Sequence, residues 1–145
     1  MSQEKKLIIK FGGTSVRYGS KEMINIIKEE NTKQNFQKLI IIVSALSDVT
    51  NLLIKCINQA RNKEDFNENL NKILNIHKNY YDNIQFKFNN NFFIIENYIQ
   101  LIQNLLNSIK FDINFYNNSI YDKIISFGEI LSLICVSQLF MNNNI

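Results

Sequence analysis

Two short apolar runs near the start of the chain constrain its fold more than any other feature. Residues 7–11 (LIIKF) and 39–43 (LIIIV) are rich in β-branched side chains and nearly continuous in apolar residues, as parallel strands covered on both faces are. Between them, the apolar residues of 23–27 share one face of a predicted helix. The three segments predict a β-α-β unit with a right-handed crossover, and therefore an α/β fold.

The remainder of the chain is predicted to be helical. Apolar residues recur at helical spacing in four further segments, approximately 49–60, 66–81, 95–109 and 119–141. Two segments that alternate apolar and polar residues, 84–88 and 111–115, could form short strands, but we interpret them as loops or frayed helix ends. His77 lies on the apolar stripe of its helix, so we interpret it as a structural rather than a catalytic histidine.

Two strands do not complete a sheet. A stable sheet has more strands, and strands that are apolar on both faces are expected to have helices above and below and neighbours at both sides. The last predicted helix is nearly all apolar and stops at Ile145 with nothing after it to pack on. We therefore interpret the chain as the front part of a larger α/β domain, or as a domain completed by a partner.

Composition excludes several classes of protein. The chain is 46% hydrophobic, which is too apolar for a disordered chain. Its net charge of +3, from 16 basic and 13 acidic side chains, gives no reason to expect a nucleic-acid or membrane partner. Cys56 and Cys135 fit neither a disulfide framework nor a metal site. Because the start of the chain carries no apolar run of a signal peptide or membrane span, we expect a cytoplasmic protein.

The first motif that could carry chemistry is residues 10–16, KFGGTSV. The predicted strand brings Lys10 to its carboxyl end, where ligands bind in open α/β sheets. Gly12 and Gly13 would let a phosphate approach the backbone N–H groups, and Thr14 and Ser15 add hydroxyl donors. The spacing is that of neither a Walker A loop nor a dinucleotide-binding motif. A plain glycine turn is the alternative, and the adjoining lysine and hydroxyls favour the anion site.

The second motif, residues 43–51 (VSALSDVTN), joins the second predicted strand to a helix. Its small hydroxyl residues could cap that helix or donate hydrogen bonds to a substrate carboxylate. In the first case Ser47 or Asp48 is only an N-cap. Spacing alone leaves both interpretations open.

The third motif, residues 126–132 (SFGEILS), lies inside the most apolar predicted helix. That helix has a single polar stripe, consisting of Asp122, Ser126, Glu129 and Ser132. The stripe could simply face solvent. Alternatively, Glu129 could point into a cleft, where its carboxylate would require a cation such as a substrate ammonium group.

Taken together, the three motifs resemble the aspartate kinases of the amino-acid kinase family. Residues 10–16 resemble that family's opening signature, 43–53 its second segment and 126–132 its third, in the same order. The resemblance implies a three-layer α/β/α fold, of which residues 1–145 would form the N-terminal part: parallel strands plus a helix-rich segment. The nucleotide-binding half of the catalytic domain and the regulatory ACT domains would then be absent.

This resemblance also implies an activity, the ATP-dependent phosphorylation of the side-chain carboxylate of L-aspartate. The product, 4-phospho-L-aspartate, enters lysine, threonine and methionine biosynthesis. L-Aspartate and Mg-ATP would be the substrates. We expect no tightly bound cofactor, no metal site, no nucleic acid and no membrane, and a homo-oligomer or a complementing chain as possible assemblies.

Site residues follow by position in the motifs. The resemblance implies that Lys10 is catalytic and stabilises the phosphoryl group during transfer. It assigns phosphate or ATP binding to Lys10, Gly12, Gly13, Thr14 and Ser15. Thr50 would hold a carboxylate of aspartate, Glu129 would bind its α-ammonium group, and Ser44 would lie beside them.

Other interpretations remain open at this point. The chain is consistent with a fragment, a decayed gene product or one piece of a split enzyme. Its acceptor could differ, as in acetylglutamate or glutamate kinases. It could also be a non-catalytic remnant or assembly module.

Overall fold

The computed structural model describes residues 5–34, 36–84 and 92–145, which form an α/β fold with two parallel strands and mostly helices. This confirms the predicted fold class. In chain order the elements are β1 (Lys6–Phe11), α1 (Gly13–Tyr18), α2 (Ser20–Gln34), β2 (Lys38–Val43), α3 (Val49–Arg61), α4 (Asn67–Asn83), α5 (Phe92–Phe111), a 3₁₀ turn (Ile113–Phe115) and α6 (Asn118–Asn142).

The two strands pair in parallel, from Lys6 opposite Lys38 to Phe11 opposite Val43. Helices α1 and α2 make the crossover between them, as the β-α-β pattern predicts. Because side chains alternate along a strand, each strand presents one row to the protein core and the other to the opposite face. The row packed against the core consists of Ile9, Phe11, Leu39, Ile41 and Val43.

The opposite face of the sheet departs from the expectation of helices on both sides. Ile8, Ile40 and Ile42 lie on this face and are 62%, 38% and 47% exposed. Within the described residues, therefore, helices cover one face of the sheet only.

Helix α6 is the central element of the core. It packs against β2 and against helices α3, α4 and α5. Buried residues occur along it from Ile124 to Phe140, consistent with its nearly all-apolar sequence. By length and composition alone, α6 could also cross a membrane, and 56% of that apolar stretch is buried inside the protein.

The two ambiguous segments are not strands where the structure describes them. Ile84 ends α4, and residues 85–88 lie outside the described residues. Phe111 ends α5, and the 3₁₀ turn follows directly. The Asp112 carboxylate closes this turn by accepting a hydrogen bond from the Asn114 backbone N–H at 2.9 Å. For residues 111–115, the interpretation as a helix end and loop is confirmed.

His77 has the structural role that its position predicts. It is fully buried in α4, and its Nδ1 lies 2.7 Å from the Ile73 carbonyl oxygen. Burial, with a smaller contribution from the nearby charge of Arg17, lowers the pKa of His77 to about 4. Cys56 and Cys135 are free thiols in the core, and burial raises the pKa of Cys56 to about 11.

Candidate active site

The loop between β2 and α3, residues 44–48, joins the sheet to the helices. Its Ser44 N–H donates to the Phe11 carbonyl at 3.2 Å, which extends the pairing of the two strands by one step. Ala45 and Leu46 are buried, and the Val49 N–H donates to the Leu46 carbonyl at 3.0 Å. This loop, called the β2–α3 loop below, is therefore part of the packed interior rather than a free connection.

The first motif packs onto the β2–α3 loop through Gly13. A Cβ atom at Gly13 would collide with the Ala45 carbonyl oxygen and lie 3.2 Å from the Ser47 nitrogen. The Ser47 N–H also donates to the Gly13 carbonyl at 3.2 Å. Close approach of two backbones thus requires glycine at this position.

Gly12 differs from its neighbour. Among the described residues, nothing lies within 4 Å of a Cβ atom built at Gly12. Its φ of −76° is open to any residue. Packing therefore does not explain why residue 12 is a glycine. The absence of a side chain at Gly12 leaves the backbone at the end of β1 accessible to a ligand.

The third motif packs against the same loop from α6. A Cβ atom at Gly128 would lie 3.1 Å from the Ala45 Cβ and 3.6 Å from a Val49 methyl carbon. One helical turn further on, the Ser132 hydroxyl donates to the Ser44 carbonyl at 2.7 Å. Gly13 and Gly128 thus both adjoin Ala45, so the three motifs meet at the β2–α3 loop.

The polar stripe of α6 divides into two parts. Asp122, Ser126 and Glu129 are exposed, which agrees with a solvent-facing stripe. Ser132 is fully buried, and its hydroxyl bonds to the backbone of the second motif. For Ser132, the interpretation as a solvent-facing residue is wrong.

The residues assigned to phosphate binding lie at the carboxyl end of β1. Lys10 is exposed and directly precedes Phe11, which pairs with the β2–α3 loop. Gly12 is the N-cap residue of α1, and Thr14 and Ser15 are exposed in its first turn. Backbone N–H groups in the first turn of a helix have no acceptor within that helix. The motif is thus a strand end followed by a short helix, which the sequence interpretation did not include.

The residues assigned to aspartate binding lie on the two helices that meet at Gly128. Thr50 is half-buried in the first turn of α3, and Glu129 is exposed on α6. Their chain neighbours, Val49 and Gly128, are close enough that a Cβ atom built at Gly128 would touch a Val49 methyl carbon. The structure therefore brings together the segments that carry Thr50 and Glu129. Ser44 lies at the start of the β2–α3 loop, which leads into Thr50.

Sequence reasoning missed an ion pair at this site. The Arg17 guanidinium, at Nη1, donates to the Ser47 carbonyl at 2.8 Å and to the Asp48 carboxylate at 2.5 Å. Asp48 does occupy the N-cap position of α3, but within the described residues its side chain makes no capping hydrogen bond. The N-cap position of Asp48 is therefore confirmed, but its carboxylate pairs with Arg17 instead of capping the helix. Because the two residues are 31 positions apart, local sequence patterns carry no signal of their pairing.

Acidic and thiol side chains do not cluster at the site. In the described part of the chain, no group of three or more His, Cys, Asp or Glu side chains could hold a metal ion. The groups that the motifs place here are backbone N–H groups, hydroxyls, Lys10, Glu129 and the Arg17–Asp48 ion pair.

No protein-family model and no curated protein sequence matches this chain. Two solved structures of E. coli aspartokinase III match it in fold. The first, in complex with aspartate and ADP in the R-state, gives a TM-score of 0.72 at 20% identity over 98% of this chain. The second, with lysine and aspartate in the T-state, gives 0.70 at 20% identity over 99%. The chain spans 30% of the length of each, so it has a partial aspartokinase-like fold.

Proposed function

We propose that this chain forms the aspartate-binding and phosphoryl-binding part of an aspartate kinase. One observation carries the proposal: three motifs that resemble that family's signatures, far apart in sequence, meet at one loop. Gly13 and Gly128 both adjoin Ala45, and Ser132 bonds to Ser44. The aspartokinase-like fold supports this assignment, and we place residues 1–145 in the N-terminal part of the catalytic domain.

Lys10 is proposed to stabilise the phosphoryl group during transfer. An exposed ammonium at the carboxyl end of a parallel strand can reach a ligand bound at that edge of the sheet. Charge builds up on the phosphoryl oxygens in the transition state, so a point charge placed there lowers the barrier. The backbone N–H groups of Gly12 and Gly13 and the hydroxyls of Thr14 and Ser15 complete the proposed phosphate site.

Thr50 and Glu129 are proposed to bind the amino acid. The Thr50 hydroxyl, in the first turn of α3, would donate to a carboxylate of aspartate. The Glu129 carboxylate would accept from its α-ammonium group, and Ser44 would lie beside the bound substrate. Opposite charges on ligand and protein would then fix the orientation of the substrate.

The reaction requires no general base. The side-chain carboxylate of aspartate is ionised at pH 7 and can attack the γ-phosphorus of Mg-ATP directly. A carboxylate oxygen–phosphorus bond forms, the bond to the β–γ bridging oxygen breaks, and ADP leaves with that electron pair. Catalysis is then positioning plus charge stabilisation. We propose that the product, 4-phospho-L-aspartate, serves lysine, threonine and methionine biosynthesis in the cytoplasm.

Calorimetric titration of the chain tests the substrate. We expect L-aspartate to bind and D-aspartate, L-glutamate and N-acetyl-L-glutamate to bind more weakly. Glu129→Gln should weaken L-aspartate binding by about tenfold or more, because a charged hydrogen bond is lost. Ser126→Ala, on the same exposed stripe, is the control and should bind normally. Preference for glutamate or acetylglutamate would instead favour a kinase with another acceptor.

Acyl phosphate production tests Lys10. In an enzyme completed by the nucleotide-binding half, Lys10→Ala should lower turnover about a hundredfold or more, measured by trapping the product with hydroxylamine. Lys38→Ala removes another exposed lysine on the same face of the sheet and should leave turnover unchanged. Equal turnover in the two variants would contradict the role of Lys10.

The exposed face of the sheet favours a second candidate function, that of an assembly module. Ile8, Ile40 and Ile42 are neighbours on this face, and contiguous exposed apolar side chains mark protein-binding surfaces. Under this alternative the chain associates through the face, and Ile40→Lys abolishes the association in sedimentation velocity. A chain that stays monomeric and binds L-aspartate would contradict it.

A further inference from the structure

The β2–α3 loop contains a residue in an unusual backbone conformation. Asp48 has a φ of 75°, in the left-handed region that favours glycine. A residue with a side chain is held there only when surrounding contacts fix it. Asp48 directly precedes α3, so its conformation sets the direction in which that helix, and Thr50 with it, begins.

Arg17 supplies those contacts. Its guanidinium donates to the Ser47 carbonyl, which belongs to the peptide bond that leads into Asp48, and to the Asp48 carboxylate. The Arg17 side chain is 23% exposed, whereas that of Asp48 is 62% exposed. The more buried partner is therefore the arginine, which approaches the loop from α1.

The same arginine connects two motifs. Arg17 lies in α1, which begins at Gly13 of the first motif, and its acceptors lie in the second. The Ser47 N–H bonds back to the Gly13 carbonyl, so Ser47 is held through both its N–H and its carbonyl. Both Arg17 bonds come from one guanidinium nitrogen, Nη1, so a single group holds the Ser47 carbonyl and the Asp48 carboxylate together.

We propose that Arg17 is a positioning residue, which holds the β2–α3 loop in the conformation that binds the amino-acid substrate. The inference rests on the proposed function, since it assumes that Ser44 and Thr50 contact that substrate. Arg17 acts through Ser47 and Asp48 and contacts no reacting atom itself.

Two substitutions separate this role from a merely structural one. Arg17→Ala should weaken L-aspartate binding about tenfold in calorimetry and speed hydrogen exchange of the Ser47 amide. Adding Asp48→Gly should restore most of the affinity, because glycine adopts the left-handed conformation without help. Arg61→Ala is the matched control: this second arginine lies over the Tyr116 ring at 4.4 Å and should leave affinity unchanged when removed.

Each result decides between specific possibilities. L-Aspartate affinity that Arg17→Ala leaves unchanged would overturn the positioning role while the proposed function stands. Weakened affinity that Asp48→Gly does not restore would also overturn it, because the loss would not come from the loop conformation. An unaltered chain that binds no L-aspartate overturns both proposals.

Discussion

The helices α3–α6 and the two-stranded sheet both carry rows of apolar side chains but differ in how these rows are covered. In the helices, Leu53, Ile102, Leu106 and Leu131 are completely buried. In the sheet, Ile8 is 62% exposed although its strand is nearly continuous in apolar residues. An apolar strand sequence therefore shows only that other elements can cover the strand. Whether its side chains are buried depends on which elements the fold places beside it.

The candidate site lies where these two regions join. Ser44 continues the strand pairing of the sheet, and the buried Ala45 contacts α6 of the helical core. The buried helical core therefore packs against one side of the loop, and the two-stranded sheet continues into the other. Four predictions test this comparison.

Core truncation should have the largest effect. Leu131→Ala removes a fully buried side chain at the centre of α6 and should lower the free energy of unfolding by about 2–5 kcal/mol. Ile40→Ala, on the exposed face of the sheet, should change it by less than about 0.5 kcal/mol. Urea denaturation measures both. Similar losses would show that the sheet face is covered in solution and would break the comparison.

Acidification should weaken the helical core through His77. Its pKa is about 4 in the folded chain against 6.5 for the ordinary side chain, so the unfolded state binds the proton more readily. Stability is highest above pH 6.5 and falls as pH decreases toward 4, by about 1.4 kcal/mol per pH unit and about 3 kcal/mol in total.

The comparison for this prediction is His77→Gln. Denaturation at several pH values should show a smaller slope between pH 6.5 and 4 in this variant, because glutamine does not titrate. An unchanged slope would mean that other groups control the acid sensitivity.

The adjacent residues Gly12 and Gly13 test how closely the first motif packs on the β2–α3 loop. Gly13→Ala should lower the free energy of unfolding by about 1–3 kcal/mol, because the new Cβ collides with the Ala45 carbonyl. Gly12→Ala meets nothing within 4 Å among the described residues and should be nearly neutral. Thermal denaturation of both variants tests this, and equal sensitivity would show that the loop does not pack on α1 this closely.

Ser132→Ala should have the smallest effect of the four. It leaves the Ser44 carbonyl without the buried hydroxyl that donates to it, and should lower the free energy of unfolding by about 1–2 kcal/mol. Ser126→Ala is the control, since the Ser126 hydroxyl is exposed and bonds within its own helix to the Lys123 carbonyl. Denaturation curves that coincide for the two variants would argue against the link between α6 and the loop.

Much of the fold could be predicted because its signals are local. Apolar β-branched runs and helical spacing identify both strands and the five longer helices, and the apolar neighbours of His77 predict its burial. Helix α1 gave no such signal, because it has six residues and begins at a glycine. Coverage of the sheet was overestimated, since apolar residues on both faces do not specify what covers them.

For the candidate site, the segments were predictable and the contacts between them were not. Glycines and hydroxyls after a strand have a local meaning, which pointed to residues 10–16 and 43–51. The bonds from Arg17 to Asp48 and from Ser132 to Ser44 join residues 31 and 88 positions apart. The three-dimensional fold brings these residues together, and no local sequence pattern indicates that they pair.

The bond between Ser132 and Ser44 also has a consequence for the order in which the molecule assembles. Closing a loop of 88 positions is entropically unfavourable, and such a contact forms after the nearby helical turns. The helices can therefore fold before α6 contacts the β2–α3 loop, but that contact cannot form until α6 has packed in its native position. A ligand site at the β2–α3 loop would then be among the last parts of the molecule to form during folding.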